Sequence, residues 1–450
     1  MKRMEQPGQF VFVVCGEDVH LHTLNFSLPL LRRFTRRGII VVTDRSRNAV
    51  PIEHDVVIDV DTPRHLTHHQ AAIYLKASLH RYLDMDGMYC YLDTDIIALG
   101  PEVDGIFEHF SPPITFCTDH CRMPMFSPSC VYHPGTEALV EEQRELDGLR
   151  ARFLELERAH QQAAGPHYEQ IKQIKEAFNQ ARPRHSRGFS NYYSLSGKAR
   201  LLASKLLFKA LYWGAFLAAL PLLPFRKSLF AEWFESLHQR FFHAPFRFEY
   251  FARRYGYRYS PKEQLWYDAE GKLVFDDNVL VKAIERHSAF RWDRVHFYWK
   301  NESGRRVSWP QSDALRQLIR EKFGVVVAQK NWQHWNGGVF LFNRASIPFL
   351  EQWLEWCLAT FDDPLWKTRD QGALIATAWK FGIQNHPTLP IEYNFIADYY
   401  HPRLQYLGGF TFRFHGSERL VRPHFLHIYH HFGDQSWDVW RDVEGLNVGH

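Results

Sequence analysis

Apolar residues recur along this chain in three patterns, and each predicts a different kind of element. Short continuous apolar runs read as buried strands: FVFVVC (Phe10 to Cys15), IIVVTD (Ile39 to Asp44), DVVIDV (Asp55 to Val60), MYCYL just before Asp93, and PPITFC (Pro112 to Cys117). Between them, LNFSLPLLRRF and HHQAAIYLKASLHRYL carry helical spacing. Strands alternating with helices predict an α/β fold, a mixed open sheet with flanking helices. In such sheets ligands sit beyond the carboxyl ends of the strands.

The middle of the chain breaks this rhythm. From about Glu137 to Gln180 it turns charged and helical, predicting two antiparallel helices with a turn near Gly165-Pro166. From Phe241 to Trp309 it is rich in Arg, Tyr, Phe and Trp, with weak periodicity. The alternation resumes near Val325 with VVVAQ, then NGGVFLFN, the helical runs IPFLEQWLEWCLATF and DQGALIATAWKF, and a last strand, FLHIYHHFG, running into a loop. The pattern predicts one α/β domain in two halves, residues 1–135 and 325–450, split by a mainly helical insertion over 136–324.

Length and composition fit that picture. The 450 residues suggest two to three units, or one domain with a large insertion. The net charge of +4 is too mild to imply nucleic acid. Six cysteines are too few and too unevenly spaced for a disulfide framework, which points to a reducing, cytosolic compartment. No secretory leader or membrane span is expected. Residues 198–227 hold no acid, and on a helix Lys198, Lys205 and Lys209 fall in one stripe beside an apolar body with Tyr212, Trp213 and Phe216. Two readings stand: a helix lying peripherally on an anionic membrane at its cytosolic face, or a buried helix of the insertion.

The sharpest chemical signal is YLDTD (Tyr91 to Asp95). On extended chain Asp93 and Asp95 project together, and paired carboxylates at a strand end call for a divalent cation with oxygen ligands. The pair, with its hydrophobic lead-in, resembles the Asp-x-Asp signature of the metal-dependent GT-A-fold glycosyltransferases, most of all the glycogenin and lipopolysaccharide-glucosyltransferase group. Further segments are similar to motifs of that family in the same order: NGGVFLFN (Asn336 to Asn343), RDQGALIA (Arg369 to Ala376), LPIEYN (Leu389 to Asn394) and HIYHHFGDQSW (His427 to Trp437). The likeness covers about residues 9–120 and 325–440 and leaves the insertion unmatched.

The resemblance implies a GT-A-like domain that moves a sugar from a UDP-linked nucleotide-sugar donor to a glycan or lipid-linked acceptor, with Mn²⁺ or Mg²⁺ and retention of configuration. It implies Asp93, Asp95 and His430 as metal ligands, with His427 and His431 as alternatives; His430 has the family's spacing of three to Gly433. It sets Cys15, Gly16, Asp44, Lys76, Asp93, Thr94, Asn336, Gly337 and Gly338 around the donor, and Asp370 and Gln371 as the catalytic pair. Without the resemblance, Asp370 is a plain helix N-cap and the two glycines a strand bulge. Where the family's last loop ends in Lys-Pro-Trp, this chain has Gln435-Ser436-Trp437, so the phosphate clamp is expected from Lys76, Arg403 or Arg413.

Other classes fit less well. A haloacid-type phosphatase carries its Asp-x-Asp on the first strand, and a sugar nucleotidyltransferase needs a Gly-rich loop that Cys15-Gly16-Glu17-Asp18 is not. A non-catalytic adaptor on the same fold is the alternative, given the missing lysine. Cys117-x3-Cys121-x8-Cys130-x2-His133 lacks the tight pairs of a structural zinc site, so these are expected as reduced thiols.

Overall fold

The computed structural model describes residues 8–16, 18–181, 248–260, 263–294, 298–398, 404–414 and 419–447, with five further positions between 206 and 217. It divides into two compact units, Met1–Glu137 with Pro310–His450, and Ala138–Trp309. The insertion is therefore shorter than the expected 136–324. Helix Ala314–Phe323 belongs to the first unit because Ala314, Leu315 and Ile319 enter its core.

Strands β1 (Gln9–Val13), β2 (Ile39–Thr43), β3 (Val57–Asp59), β4 (Tyr89–Leu92), β5 (Ile96–Ala98) and β6 (Thr115–Thr118) precede the second unit. That unit, taken by itself, has helices with their turn at Gly165, where a φ of +50° suits glycine. It also holds β7 (Arg258–Ser260), β8 (Leu265–Tyr267), β9 (Leu273–Asp276), β10 (Arg291–Asp293) and β11 (Tyr298–Lys300) in two small antiparallel sheets. The aromatic stretch is thus less helical than expected. Its weak periodicity reflects strands of three or four residues, and Trp266, Phe275 and Phe248 pack with Ile171, Ile174 and Phe178 as core.

The first unit resumes with β12 (Trp335–Phe342), β13 (Phe395–Ile396), β14 (Leu404–Tyr406), β15 (Phe412–Phe414), β16 (Leu420–Val421) and β17 (Phe425–His427). Its main sheet has the order β3-β2-β1-β4-β12-β6. The first four run parallel, and β12 is antiparallel to β4 and β6. Both faces are covered, which is why the strands read as continuous apolar runs. Along β1, Val11 and Val13 join one core while Phe10 and Phe12 join the other. In β12, Phe340 and Phe342 face the first core, Val339 and Leu341 the second. A second sheet, β13-β17-β5, pairs β17 antiparallel to β5 and parallel to β13.

The mixed α/β architecture agrees with the sequence. VVVAQ does not form a strand: Gly324 ends the preceding helix in the left-handed conformation, Val326 is exposed, and only Val327 of the three valines is buried. Of segment 198–227, only Leu206, Ala210, Trp213, Gly214 and Leu217 are described, all helical and exposed. The stripe of Lys198, Lys205 and Lys209 lies outside the described residues, as does Arg403. Among the described residues no helix is long and apolar enough to cross a membrane.

Candidate functional site

Beyond the carboxyl ends of β1 and β4 lies a cavity of about 590 Å³. Four aspartates (Asp93, Asp95, Asp119, Asp370) and two lysines (Lys76, Lys367) line it, a net charge of −2 with its imidazoles neutral. Such a cavity attracts a cation.

Asp93 and Asp95 occupy the turn between β4 and β5, with Asp93 N–H donating to the Gly338 carbonyl at 2.8 Å. The register of the second sheet then supplies the imidazole. His427 pairs with Ile96 across β5 and β17, and Ile428 N–H donates to the Asp95 carbonyl at 3.2 Å. Asp93, Asp95 and His427 each offer a ligand atom, all within 4.8 Å of one another. His427 Nδ1 bonds Asn394 Oδ1 at 2.8 Å, and Nε2 lies 3.4 Å from Asp95 Oδ1. With Nδ1–H donating to Asn394, the Nε2 lone pair faces the carboxylates. Burial opposes protonation of His427, but Asp95 and then Asp93 outweigh it and raise its pKa above 6.5.

This donor set, two carboxylates and one imidazole, fits a divalent cation such as Mn²⁺ or Mg²⁺, and the nitrogen favours Mn²⁺ over oxygen-loving Mg²⁺. Gly338 makes room for it. A Cβ there would lie 2.9 Å from Asp93 Oδ2, His427 Cε1 and Asn336 Oδ1. The β12–β6 register slips between Asn336 and Phe340, so Gly337 and Gly338 do form a bulge, and the bulge lies against the site.

The imidazole that joins the carboxylates is His427, in place of the expected His430. Strand β17 ends at His427, so the alternation does not continue through the next residues. His430 is exposed, its N–H donating to Asp398 Oδ2 at 2.5 Å, while His431 Nδ1 lies 3.0 Å from Asp434 Oδ2.

Lys76 reaches the site from helix His68–Ala77, whose start is fixed by a capping box between Thr67 and Gln70. Its ammonium lies 3.2 Å from Asp93 Oδ1 and 3.6 Å from Asp370 Oδ2. Burial alone would drive it towards neutrality, but Asp93 and Asp370 outweigh that and raise its pKa above 10.5. Asp370 stands at the N-cap of helix Gln371–Lys380 yet makes no side-chain cap bond. The plain N-cap reading therefore fails, and the carboxylate turns to Lys76. Gln371 Nε2 donates to the Trp335 carbonyl, while its Oε1 lies 3.3 Å from where a Gly337 Cβ would stand.

Cys15 and Thr94 line the cavity with Asn336, Gly337 and Gly338; Gly16 and Asp44 do not. Gly16 has φ +90° and donates to Asn48 Oδ1 at 3.0 Å. Asp44, expected beside the donor, does not line the cavity. Its carboxylate is enclosed, accepting from Ser46 and Thr62 and pairing with Arg47 at 3.2 Å. Burial opposes its ionisation, but those hydrogen bonds prevail and hold it far below the usual carboxylate range. Of the clamp candidates, Lys76 lines the cavity, whereas Arg413 donates to Gln405 Oε1 at 2.6 Å.

Sequence reasoning gave no role to Asn394, Asp119 or Lys367. Asn394, the last residue of LPIEYN, also donates from Nδ2 to Asn336 Oδ1 at 2.9 Å. Its advance signal was its place at the end of the family-like LPIEYN segment. Lys367 bonds Glu137 Oε1 at 2.6 Å and lines the cavity. The four residues of the cysteine-rich pattern do not converge, since Cys117 and Cys130 lie in cores on opposite faces of the sheet. No protein-family model matches the chain, and no curated protein matches it.

Proposed function

We propose that this chain is a divalent-metal-dependent glycosyltransferase of the GT-A type. It moves a sugar from a nucleoside diphosphate donor, UDP-linked, to a hydroxyl of a glycan or lipid-linked acceptor. One observation carries the reading: Asp93, Asp95 and His427, from segments remote in sequence, meet in an anionic cavity at the strand ends beside Lys76 and Asp370. A cation bound there supplies Lewis-acid stabilisation of a departing diphosphate.

The chain's own residues do the rest. Asp93, Asp95 and His427 hold the cation, and Asn394 fixes the His427 ring. Lys76, kept charged by its two aspartates, holds Asp93 and Asp370 in place and has an ammonium to offer a donor oxygen. Asp370 sets a carboxylate against positive charge developing at the sugar, and Gln371 Oε1 adds a lone pair, an arrangement suited to retention. The apolar wall of Val13, Cys15 and Ile73 gives a flat base a dry surface.

The test is a donor screen reading free nucleotide with and without Mn²⁺, with Asp95→Ala as control. Manganese-dependent release lost in Asp95→Ala supports the enzyme. Manganese-dependent donor binding without release supports the adaptor reading, for which Gln435-Ser436-Trp437 in place of a clamp lysine speaks. Neither binding nor release rejects both.

A further inference from the structure

A second group of ligand-type side chains is reached from the same cavity through Asp119, which lines it. Asp119, Cys121 and His334, all buried, bring one carboxylate oxygen, one sulfur and one imidazole nitrogen within 4.8 Å of one another. Cys121 Sγ lies 3.4 Å from Asp119 Oδ1 and 3.9 Å from His334 Nε2, which lies 3.8 Å from Asp119 Oδ1. A tetrahedral zinc with bonds of about 2.0–2.3 Å separates its ligand atoms by about 3.3–3.7 Å. The three atoms are within a few tenths of an ångström of that triangle.

The imidazole points the same way. His334 is fully buried, and its Nδ1 is engaged by the Trp335 carbonyl at 3.1 Å and Gln371 Nε2 at 3.3 Å. Among the described residues its Nε2 has the two long contacts above, beyond an ordinary N–H···O bond and long even for sulfur. A buried nitrogen left so weakly satisfied is costly unless something else takes its lone pair. Asp119 is already held on its other oxygen by Asn336 Nδ2 at 3.0 Å, which fixes the carboxylate as an outer-shell partner would.

We propose that Asp119, Cys121 and His334 form a second metal site, selective for Zn²⁺ and distinct from the Asp93–Asp95–His427 centre. The thiol separates the two by hardness: sulfur with imidazole selects zinc, whereas carboxylates and water suit Mn²⁺ and Mg²⁺. On binding, the Cys121 S–H bond breaks, its proton leaves to water, and thiolate with carboxylate balances the dication. A water or substrate oxygen fills the fourth position. The sites are joined by hydrogen bonds, Asp119 to Asn336, Asn336 to Asn394 and Asn394 to His427, so zinc rigidifies the frame of the first centre.

The test uses the full chain, stripped with chelator, held in saturating Mg²⁺ and titrated with Co²⁺. The expected result is a thiolate-to-cobalt charge-transfer band that saturates at about one equivalent and is displaced by Zn²⁺. It disappears in Cys121→Ser and persists in Asp95→Ala. No such band in the unaltered protein overturns the proposal, whatever the variants' folding. A band retained by Cys121→Ser, or lost with Asp95→Ala, also overturns it. Sugar transfer is not the readout, so this result stands apart from that of the donor screen.

Discussion

Asp44 and the Asp93–Asp95 pair stand just past the ends of β2 and β4, which flank β1 in the parallel part of one mixed sheet, yet their surroundings differ completely. Asp44 is 2% exposed and ringed by Ser46, Thr62 and Arg47. The Asp93 and Asp95 side chains keep 32% and 25% of their surface, facing the cavity, with Tyr91 and Lys76 on one oxygen of Asp93 and His427 beside Asp95. A carboxylate surrounded by its own chain's donors serves the fold. One left part-open to a cavity keeps oxygen lone pairs free for a ligand. The difference separates structural from functional acids better than their position on the sheet.

Removing each kind should therefore have opposite consequences. Asp95→Ala should cost about a thousandfold or more in nucleotide release, the scale of a lost electrostatic transition-state contact, while Tm stays within about 2 °C. A comparable loss of Tm would place Asp95 with Asp44. Asp44→Ala should lower unfolding free energy by about 3 kcal/mol in urea titration, since it leaves the Arg47 guanidinium short of its partner, while manganese affinity per folded molecule stays unchanged. An affinity loss larger than the stability loss would return Asp44 to the site.

Smaller changes sharpen the contrast. Asn394→Leu should weaken Mn²⁺ binding about 10–100-fold in calorimetry by freeing the His427 ring, without removing a ligand. The mildest probe is pH. His427 gains a proton more readily than a free imidazole, its pKa being raised above 6.5, and that proton occupies the nitrogen a metal needs. Manganese affinity should fall as pH drops through that raised value, by up to about tenfold per pH unit, with proton uptake on metal removal. Affinity flat down to pH 5 would remove His427 from the ligand set.

Some of this was readable in advance. The runs at Phe10, Ile39 and Tyr89 announced buried parallel strands because both sheet faces are covered. The spacing of HHQAAIYLKASLHRYL announced a helix, and Asp-x-Asp announced paired carboxylates. Spacing within one segment misled for His430, since the strand that would have governed the alternation stops at His427. Asp44 misled as well. Its position at a strand end fitted a ligand site, but the loop holding Thr62 folds back to enclose it.

The amino-acid order settled what depends on near neighbours: strand and helix periods, and two carboxylates on one side of a turn. Backbone geometry repeats every two or 3.6 residues, so a few positions suffice. Which histidine meets Asp95, and that Cys121 sits with Asp119 and His334, came from strands paired across hundreds of residues. A one-residue slip in the β5–β17 register would turn His427 to the opposite face. That register is held by the packing of Ile97, Leu426 and Phe395 in a shared core, a cooperative property of the whole unit that no short stretch of chain carries.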